Sequence, residues 1–248
     1  MAEIAWSKAV EILEPHVVRI STPRGSGTGF LISNGHKNAV CGIATAAHVV
    51  DHAHYWEEPI RIEHVATGKS LVIRSDDRAI FLDLSRDTAA ILFNRGDLPL
   101  PADPLLLVPK DMSVRVGVKI GWLGFPAIPT ASLCFFEGIV SAHVVSQNVY
   151  LVDGVAINGV SGGPAFHLFH LESTPVFVMG VVSAYVPNRA TGEVLPGLSV
   201  VRPIQQFHEL APTFASLDQA REAEPPAEPP SPKPDSDGQG DTPAKRGS

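Results

Sequence analysis

The chain has 248 residues, 44% of them hydrophobic and 18% charged, with a formal net charge of -7. That is enough apolar material to bury a core, and the acidic balance excludes a general nucleic-acid or acidic-membrane binder, which needs a basic face. Only two cysteines occur, Cys41 and Cys134, in no CxxC or Cys/His spacing; this argues against structural zinc and favours reduced thiols over a single bridge.

The N-terminal stretch MAEIAWSKAVEILEP begins with an acidic residue and has no uninterrupted apolar core, so it does not read as a secretory signal. No stretch reaches the ~20 apolar residues that span a bilayer. A soluble, cytoplasmic protein with no membrane partner is expected. Trp6, Val10 and Leu13 recur at helical spacing until Pro15, which predicts a helix over residues 3–14 and a first segment over 1–15.

From His16 the texture changes. VVRI, TGFLIS, AVCGIATAA, IRIEHV, SLVIR and AAILF are short β-rich runs, and VRVGVKIGWL, GIVSAHVV, NVYLV, AFHLF, VFVMGVVSAYV and LSVV follow. Gly, Pro, Asn and Asp separate them. A dozen strands with almost no helix between them predict an all-β chain of barrels or sandwiches rather than a βαβ sheet. Pro203 then opens a last helical pattern with Ile204, Phe207 and Leu210 on one face. Beyond about residue 212 the chain is rich in Pro, Glu, Asp, Ser and Gly, and residues 213–248 are expected to be a disordered tail.

Three segments carry chemistry. In Gly159-Val160-Ser161-Gly162-Gly163-Pro164 the glycines let the backbone turn tightly around a serine, and the N–H groups of Gly159 and Ser161 are the candidate oxyanion hole. In Thr45-Ala46-Ala47-His48-Val49-Val50 a histidine follows small residues at the end of a buried run, placed to act as the base. The third partner must be a carboxylate that fixes the imidazole tautomer. Asp87, which opens the apolar strand of DTAAILF, is favoured over Asp83 four residues earlier, whose bland role is that of a turn acid.

The order His, Asp, Ser is that of trypsin-like enzymes, and the chain resembles the trypsin-like peptidases of the HtrA (Deg) type. GSGTGFLI (25–32), TAAHVV, DTAAILF, GWLGFP (121–126), EGIVSA (137–142), GVSGGP, VMGVVS (178–183) and GLSVVRP (197–203) occur in the family's order over roughly residues 16–210. The resemblance implies a chymotrypsin-like fold: two packed six-stranded antiparallel β-barrels, with a short N-terminal and a C-terminal helix. The first barrel would span 16–104 and the second, with its helix, 105–212, the crossover lying in the proline-rich stretch near 97–112. It further implies a serine endopeptidase with His48, Asp87 and Ser161 as triad and no cofactor or metal. Its substrate would be a protein or peptide.

The departures from the family pattern are informative. Val160 stands before the serine in place of the usual Asn or Asp, so no activation by a freshly cut N-terminus is expected. No cysteine flanks His48, and no PDZ-like segment follows residue 210. The resemblance places Val155, Ser183, Ala184 and Tyr185 around the first substrate pocket; with valine at 155 and no acid there, small or aliphatic P1 side chains are expected. Two further readings stay open: a protease effector of low basal activity switched on by a partner protein, and a catalytically silent fold that captures peptides. Esterase action at the same site stays open as a side activity. His52, His54, His167 and His170 read as solvated loop histidines, and Trp6, Trp56 and Trp122 as packing residues.

Overall fold

The computed structural model describes residues 6–35, 39–128, 132–168, 176–187, 194–210, 213, 214 and 216, with the side chains of 185–187 and 194–196 outside the description. Thirteen strands and two α-helices are present among them. Seven strands form the first sheet: β1 (Val17–Thr22), β2 (Gly25–Asn34), β3 (Val40–Thr45), β4 (Ile60–His64), β5 (Lys69–Ile73), β6 (Arg78–Asp83) and β7 (Thr88–Asn94). Their spatial order is β5-β4-β1-β2-β3-β7-β6, a half-barrel whose edge strands β5 and β6 do not pair with each other. Six strands close the second barrel: β8 (Lys119–Gly124), β9 (Cys134–Val144), β10 (Val149–Asp153), β11 (Pro164–His167), β12 (Phe177–Pro187) and β13 (Val194–Pro203), in the order β10-β13-β12-β11-β8-β9.

The second barrel has the six strands expected, and the first half carries one more than expected. The extra strand is β6, in which no residue is fully buried. A strand half-buried on both faces lacks the alternation by which strands are recognised in sequence. Its partner β7 buries six of its seven residues and stands out plainly. This is the chymotrypsin-like architecture of two β units side by side.

The N-terminal helix α1 spans Trp6–Leu13 and buries Ala9 and Leu13. It precedes the first sheet in sequence yet packs on the second barrel, where the Trp6 ring lies 5.4 Å from Phe135 and 5.7 Å from Phe166. Gly121 on β8 makes room for this contact: a Cβ there would stand 2.9 Å from the Trp6 ring and 2.6 Å from Phe135. After β13 the chain enters a 3-10 turn, Ile204–Gln206, and helical residues 207–210. Phe214, inside the range read as tail, is 7% exposed and meets the Phe81 ring edge-on at 5.6 Å. The helix α1 and Phe214 thus each fasten one half to the other. No helix among the described residues is long and apolar enough to cross a membrane. Cys41 is buried and Cys134 half-buried, and both are free thiols.

Candidate active site

The register of the first sheet brings His48 and Asp87 to one end. β3 pairs antiparallel with β7 so that Thr45 faces Ala89. Three residues beyond Thr45 lies His48, and two before Ala89 lies Asp87. A second helix, α2 (Ala47–Tyr55), begins directly after β3 and carries His48 as its second residue. The first N–H groups of a helix have no partner within it and attract a carboxylate. Asp87 supplies one: the His48 N–H donates to Asp87 Oδ1 at 3.0 Å. The same carboxylate accepts from the ring, with His48 Nδ1 at 3.0 Å from Oδ1 and 2.9 Å from Oδ2. Asp87 holds this pose with φ of 50°, a left-handed conformation that Asp tolerates better than most residues.

Asp83 does none of this. Its carboxylate takes the Ser85 hydroxyl at 2.6 Å and the Arg86 N–H at 3.0 Å, capping the β6–β7 turn. The turn role and the His48 contact are thereby divided between the two acids.

On the second barrel, Ser161 lies in the turn between β10 and β11. The carbonyls of this turn have protein partners one after another. Ile157 O accepts from Val160 N–H at 3.1 Å, Asn158 O from Ala127 N–H at 2.7 Å, and Gly159 O from the Thr28 hydroxyl at 2.8 Å. Val160 O accepts from Gly163 N–H at 3.0 Å and Ser161 O from Thr28 N–H at 2.8 Å. In a trans peptide the N–H points opposite to the C=O. The Gly159 and Ser161 N–H groups therefore face away from these partners, and among the described residues neither has an acceptor. Two such donors side by side suit an oxyanion.

The glycines are required by space as well as by backbone angle. Gly159 has φ of 90°, and a Cβ there would stand 2.3 Å from the Phe125 carbonyl oxygen. Gly162 has φ of 89°, with the Thr28 carbonyl oxygen at 2.0 Å from the same built position. Val160, in place of the family's usual polar residue, is fully buried and packs against Gly124 at the end of β8. Apolar packing, not an ion pair, seats this turn.

Ser183 joins the two halves of the site. It sits on β12 where the register against β13 slips, between Val182 and Ala184. The slip turns its side chain across the seam, and its hydroxyl donates to Asp87 Oδ2. Its carbonyl accepts the Ser161 hydroxyl at 3.2 Å. Ser161 Oγ thus rests on Ser183, and no hydrogen bond joins it to His48 among the described residues.

Electrostatics follow from these contacts. The His48 pKa is raised, chiefly by its hydrogen bond to Asp87; burial opposes the rise, and the charges of Asp87 and Asp51 add to it. Burial pushes the Asp87 carboxyl up, but the hydrogen bonds from His48 and Ser183, with the His48 charge, outweigh it and hold the group below its ordinary value. A histidine with its Nδ1 proton tied to a carboxylate keeps Nε2 as its free basic nitrogen. Such a ring can take a proton from a neighbouring hydroxyl and return it to a leaving group.

The residues expected around the substrate pocket divide. Val155 is 51% exposed, just past Gly154, which is tied to β13 by its N–H to Gly197 O and by the Ser199 hydroxyl to its own carbonyl, each at 2.6 Å. Ala184 is exposed. Ser183 is only 2% exposed and gives its side chain to Asp87 instead of a pocket wall. The Tyr185 side chain lies outside the described residues. Of the other histidines, His52 and His54 lie on α2 rather than in a loop, and His52 pairs with Glu58 at 2.9 Å. His167 Nδ1 donates to the Lys119 carbonyl at 3.0 Å, and His170 lies outside the described residues. Trp6 and Trp122 pack as expected, but Trp56 is 71% exposed and stacks on His52. Sequence reasoning missed the Ser183–Asp87 bond and the part played by Thr28. The one signal was a hydroxyl inside an apolar run, in VVSAY and in GTGFL.

Comparison with known proteins agrees with the fold. The trypsin-like peptidase domain family matches residues 27–168. No curated protein sequence matches the chain. Among solved structures, the chain is similar to a serine endoprotease from Yersinia pestis, with a TM-score of 0.62 at 19% identity over 87% of this chain and 68% of that one. It is also similar to a mutant, inactive form of Rv3671c from M. tuberculosis, with a TM-score of 0.56 at 19% identity over 88% of this chain and 92% of that one. A third, the HtrA-type protease AlgW with a tripeptide, gives 0.61 at 18% identity over 85% of this chain and 63% of that one. At these identities the neighbours speak for the fold. The family match covers more than half of the chain, from the strand that meets the nucleophile turn to the strand that follows it, and this protein belongs to the trypsin-like serine peptidases.

Proposed function

We propose that the protein is a serine endopeptidase in which Ser161 is the nucleophile, His48 the base and Asp87 the residue that orients it. One observation carries the reading: Ser183 bonds Asp87 through its hydroxyl and Ser161 through its carbonyl, so a single residue draws together groups from both halves. In the reaction the Ser161 hydroxyl turns from the Ser183 carbonyl to His48 Nε2. It attacks the peptide carbonyl as His48 takes its proton, and the C–O⁻ that forms is received by the Gly159 and Ser161 N–H groups. His48 then returns the proton to the amine as the C–N bond breaks, leaving an acyl-enzyme. Water, deprotonated by His48, releases the acid and restores Ser161. Asp87 holds the Nδ1 proton throughout and stabilises the imidazolium.

The substrate is a protein or peptide, as for the tripeptide-bound neighbour. Val155, apolar and half-exposed, and the exposed Ala184 support a preference for small or aliphatic P1 side chains. A second reading has one observation in its favour. With Ser161 resting on Ser183, basal turnover is low and a partner protein raises it by releasing the hydroxyl.

The test is labelling with a fluorophosphonate probe. Wild type and Asp83→Ala should label, and Ser161→Ala should not. An unlabelled wild type refutes a competent site in the isolated chain; labelling that survives Ser161→Ala refutes the assigned nucleophile.

A further inference from the structure

Thr28 is fully buried on β2, and all four of its hydrogen-bonding groups are engaged. Its N–H donates to Ser161 O at 2.8 Å, and its carbonyl accepts the Thr45 hydroxyl at 2.7 Å. Its own hydroxyl donates to Gly159 O at 2.8 Å and accepts from Phe125 N–H at 2.9 Å. A hydroxyl has one proton to give, and here it goes to the second barrel's nucleophile turn. The residue is squeezed into place by its neighbours. Cβ atoms on Gly27 and Gly29 would stand 2.6 Å from Val49 and 2.7 Å from Ile20 and Ile43, so β2 lies hard against the first half and Thr28 faces the other.

The peptide held by this hydroxyl is Gly159–Val160, the plane that joins the two outward N–H groups of Gly159 and Ser161. If that plane turned, the angle between the two donors would change. Its other end makes a local turn bond, Val160 N–H to Ile157 O at 3.1 Å, and is packed through the buried Val160 side chain. Gly159, with φ of 90° and no side chain, resists such rotation little by itself. Phe125, the second partner of the hydroxyl, leads into Ala127, whose N–H fixes the preceding carbonyl, Asn158 O. Thr28 therefore stands between the two strands of contact that orient the turn.

We infer that Thr28 is a positioning residue for catalysis: from the first half of the molecule its hydroxyl holds the peptide that joins the two oxyanion-binding N–H groups of the second. The inference rests on the catalytic reading above. The three variants Thr28→Val, Thr28→Ser and Thr28→Ala separate the hydroxyl from the methyl group. Peptide hydrolysis by each gives kcat and KM, and fluorophosphonate labelling gives the acylation rate. Thr28→Val should lose about 10- to 100-fold in kcat and in labelling rate with KM little changed, less than the ~10²–10³ cost of deleting an oxyanion donor outright. Thr28→Ser, which keeps the hydroxyl, should stay within about threefold of wild type. Where Thr28→Val does not fold, Thr28→Ala against Thr28→Ser decides by the same measure. Equal rates with and without the hydroxyl overturn the proposal, as does Thr28→Ser falling as far as Thr28→Val, or a loss confined to KM. A wild type that fails to label refutes the catalytic reading itself and takes the proposal with it; a labelling wild type with an unaffected Thr28→Val refutes the proposal alone.

Discussion

Replacing Asp87 by Asn keeps the shape of the side chain and removes its charge. The amide can still accept through Oδ1, but it presents an NH₂ where Oδ2 now takes the His48 ring and the Ser183 hydroxyl. The ring is then driven towards the tautomer with its proton on Nε2, which cannot accept from Ser161. Loss of the carboxylate from such a triad lowers kcat by ~10⁴, about 5 kcal/mol of activation. The charge has a separate signature. Two unit charges ~4 Å apart attract by about 4 kcal/mol at an effective dielectric near 20. The His48 side chain is 48% exposed, so solvent screens much of that attraction and only part of it reaches the titration. Asp87 raises the His48 pKa, so in wild type the ring loses its proton above the ordinary value of 6.5. Only the neutral ring is a base, and the acid limb of the rate therefore lies above 6.5 in wild type. In Asp87→Asn the main cause of the rise is gone while burial still lowers the pKa, and the limb should move to lower pH. Labelling rates measured from pH ~5 to ~9 read both effects. An Asp87→Asn rate within about tenfold of wild type, or an acid limb that does not move down, would refute the reasoning.

Ser183→Ala removes one hydrogen bond from a carboxylate that is 20% exposed. Bonds to charged groups are worth about 1.5–3 kcal/mol, but water reaches this one in part, and kcat/KM for a peptide ester should fall by about tenfold. Gly162→Ala meets both a φ of 89° and the Thr28 oxygen at 2.0 Å, and should cost about 3 kcal/mol or more in urea unfolding. Gly68→Ala, with φ of 69° and nothing within 4 Å, is its control and should cost about 1–2 kcal/mol. The Cys41 thiol, buried and pushed up to about 12, should resist alkylation in the folded protein while the half-buried Cys134 reacts. Intact mass should then show one modification natively and two in denaturant.

His48 and Ser161 were legible in the sequence because their surroundings have no bland explanation. Small residues lead up to the histidine, and glycines flank the serine where two positive-φ turns and a crowded backbone admit nothing else. Asp87 stood out from Asp83 because it opens a plainly apolar run, which the structure shows as the buried strand β7, whereas Asp83 follows no run that reads as a strand. The strands of the second barrel were read for the same reason, each burying a face. What stayed hidden was of another kind. β6 is half-buried on both faces, with Ile80 and Leu82 on one core and Phe81 on the other, so it carries no alternation. α2 was taken as loop because AHVVDHAHY is short and β-branched at two places, and its start depends on Asp87 from another element for a cap. Ser183 and Thr28 act through hydrogen bonds across the seam, and no local pattern encodes which distant carbonyl a hydroxyl will meet.

The same seam explains how a site split between two halves can be stiff. His48 and Asp87 belong to the first half of the molecule, Ser161 to the second barrel, and interfaces between such units are often mobile. Here the contacts that cross run both ways. Thr28 reaches from the first half to Gly159, Ser161 and Phe125, while Ser183 reaches from the second half to Asp87. α1 and Phe214 then add apolar area, each placed on the half remote from its neighbours in sequence. Sliding the halves would have to break buried hydrogen bonds without water to replace them, at about 1–3 kcal/mol for each group left unpaired. Preorganisation of that kind is what oxyanion stabilisation requires, since donors that must first be gathered contribute less when charge develops. In this molecule the contacts across the seam are made by hydroxyl groups, and the turn at Ser161 is seated by Val160 packed on Gly124.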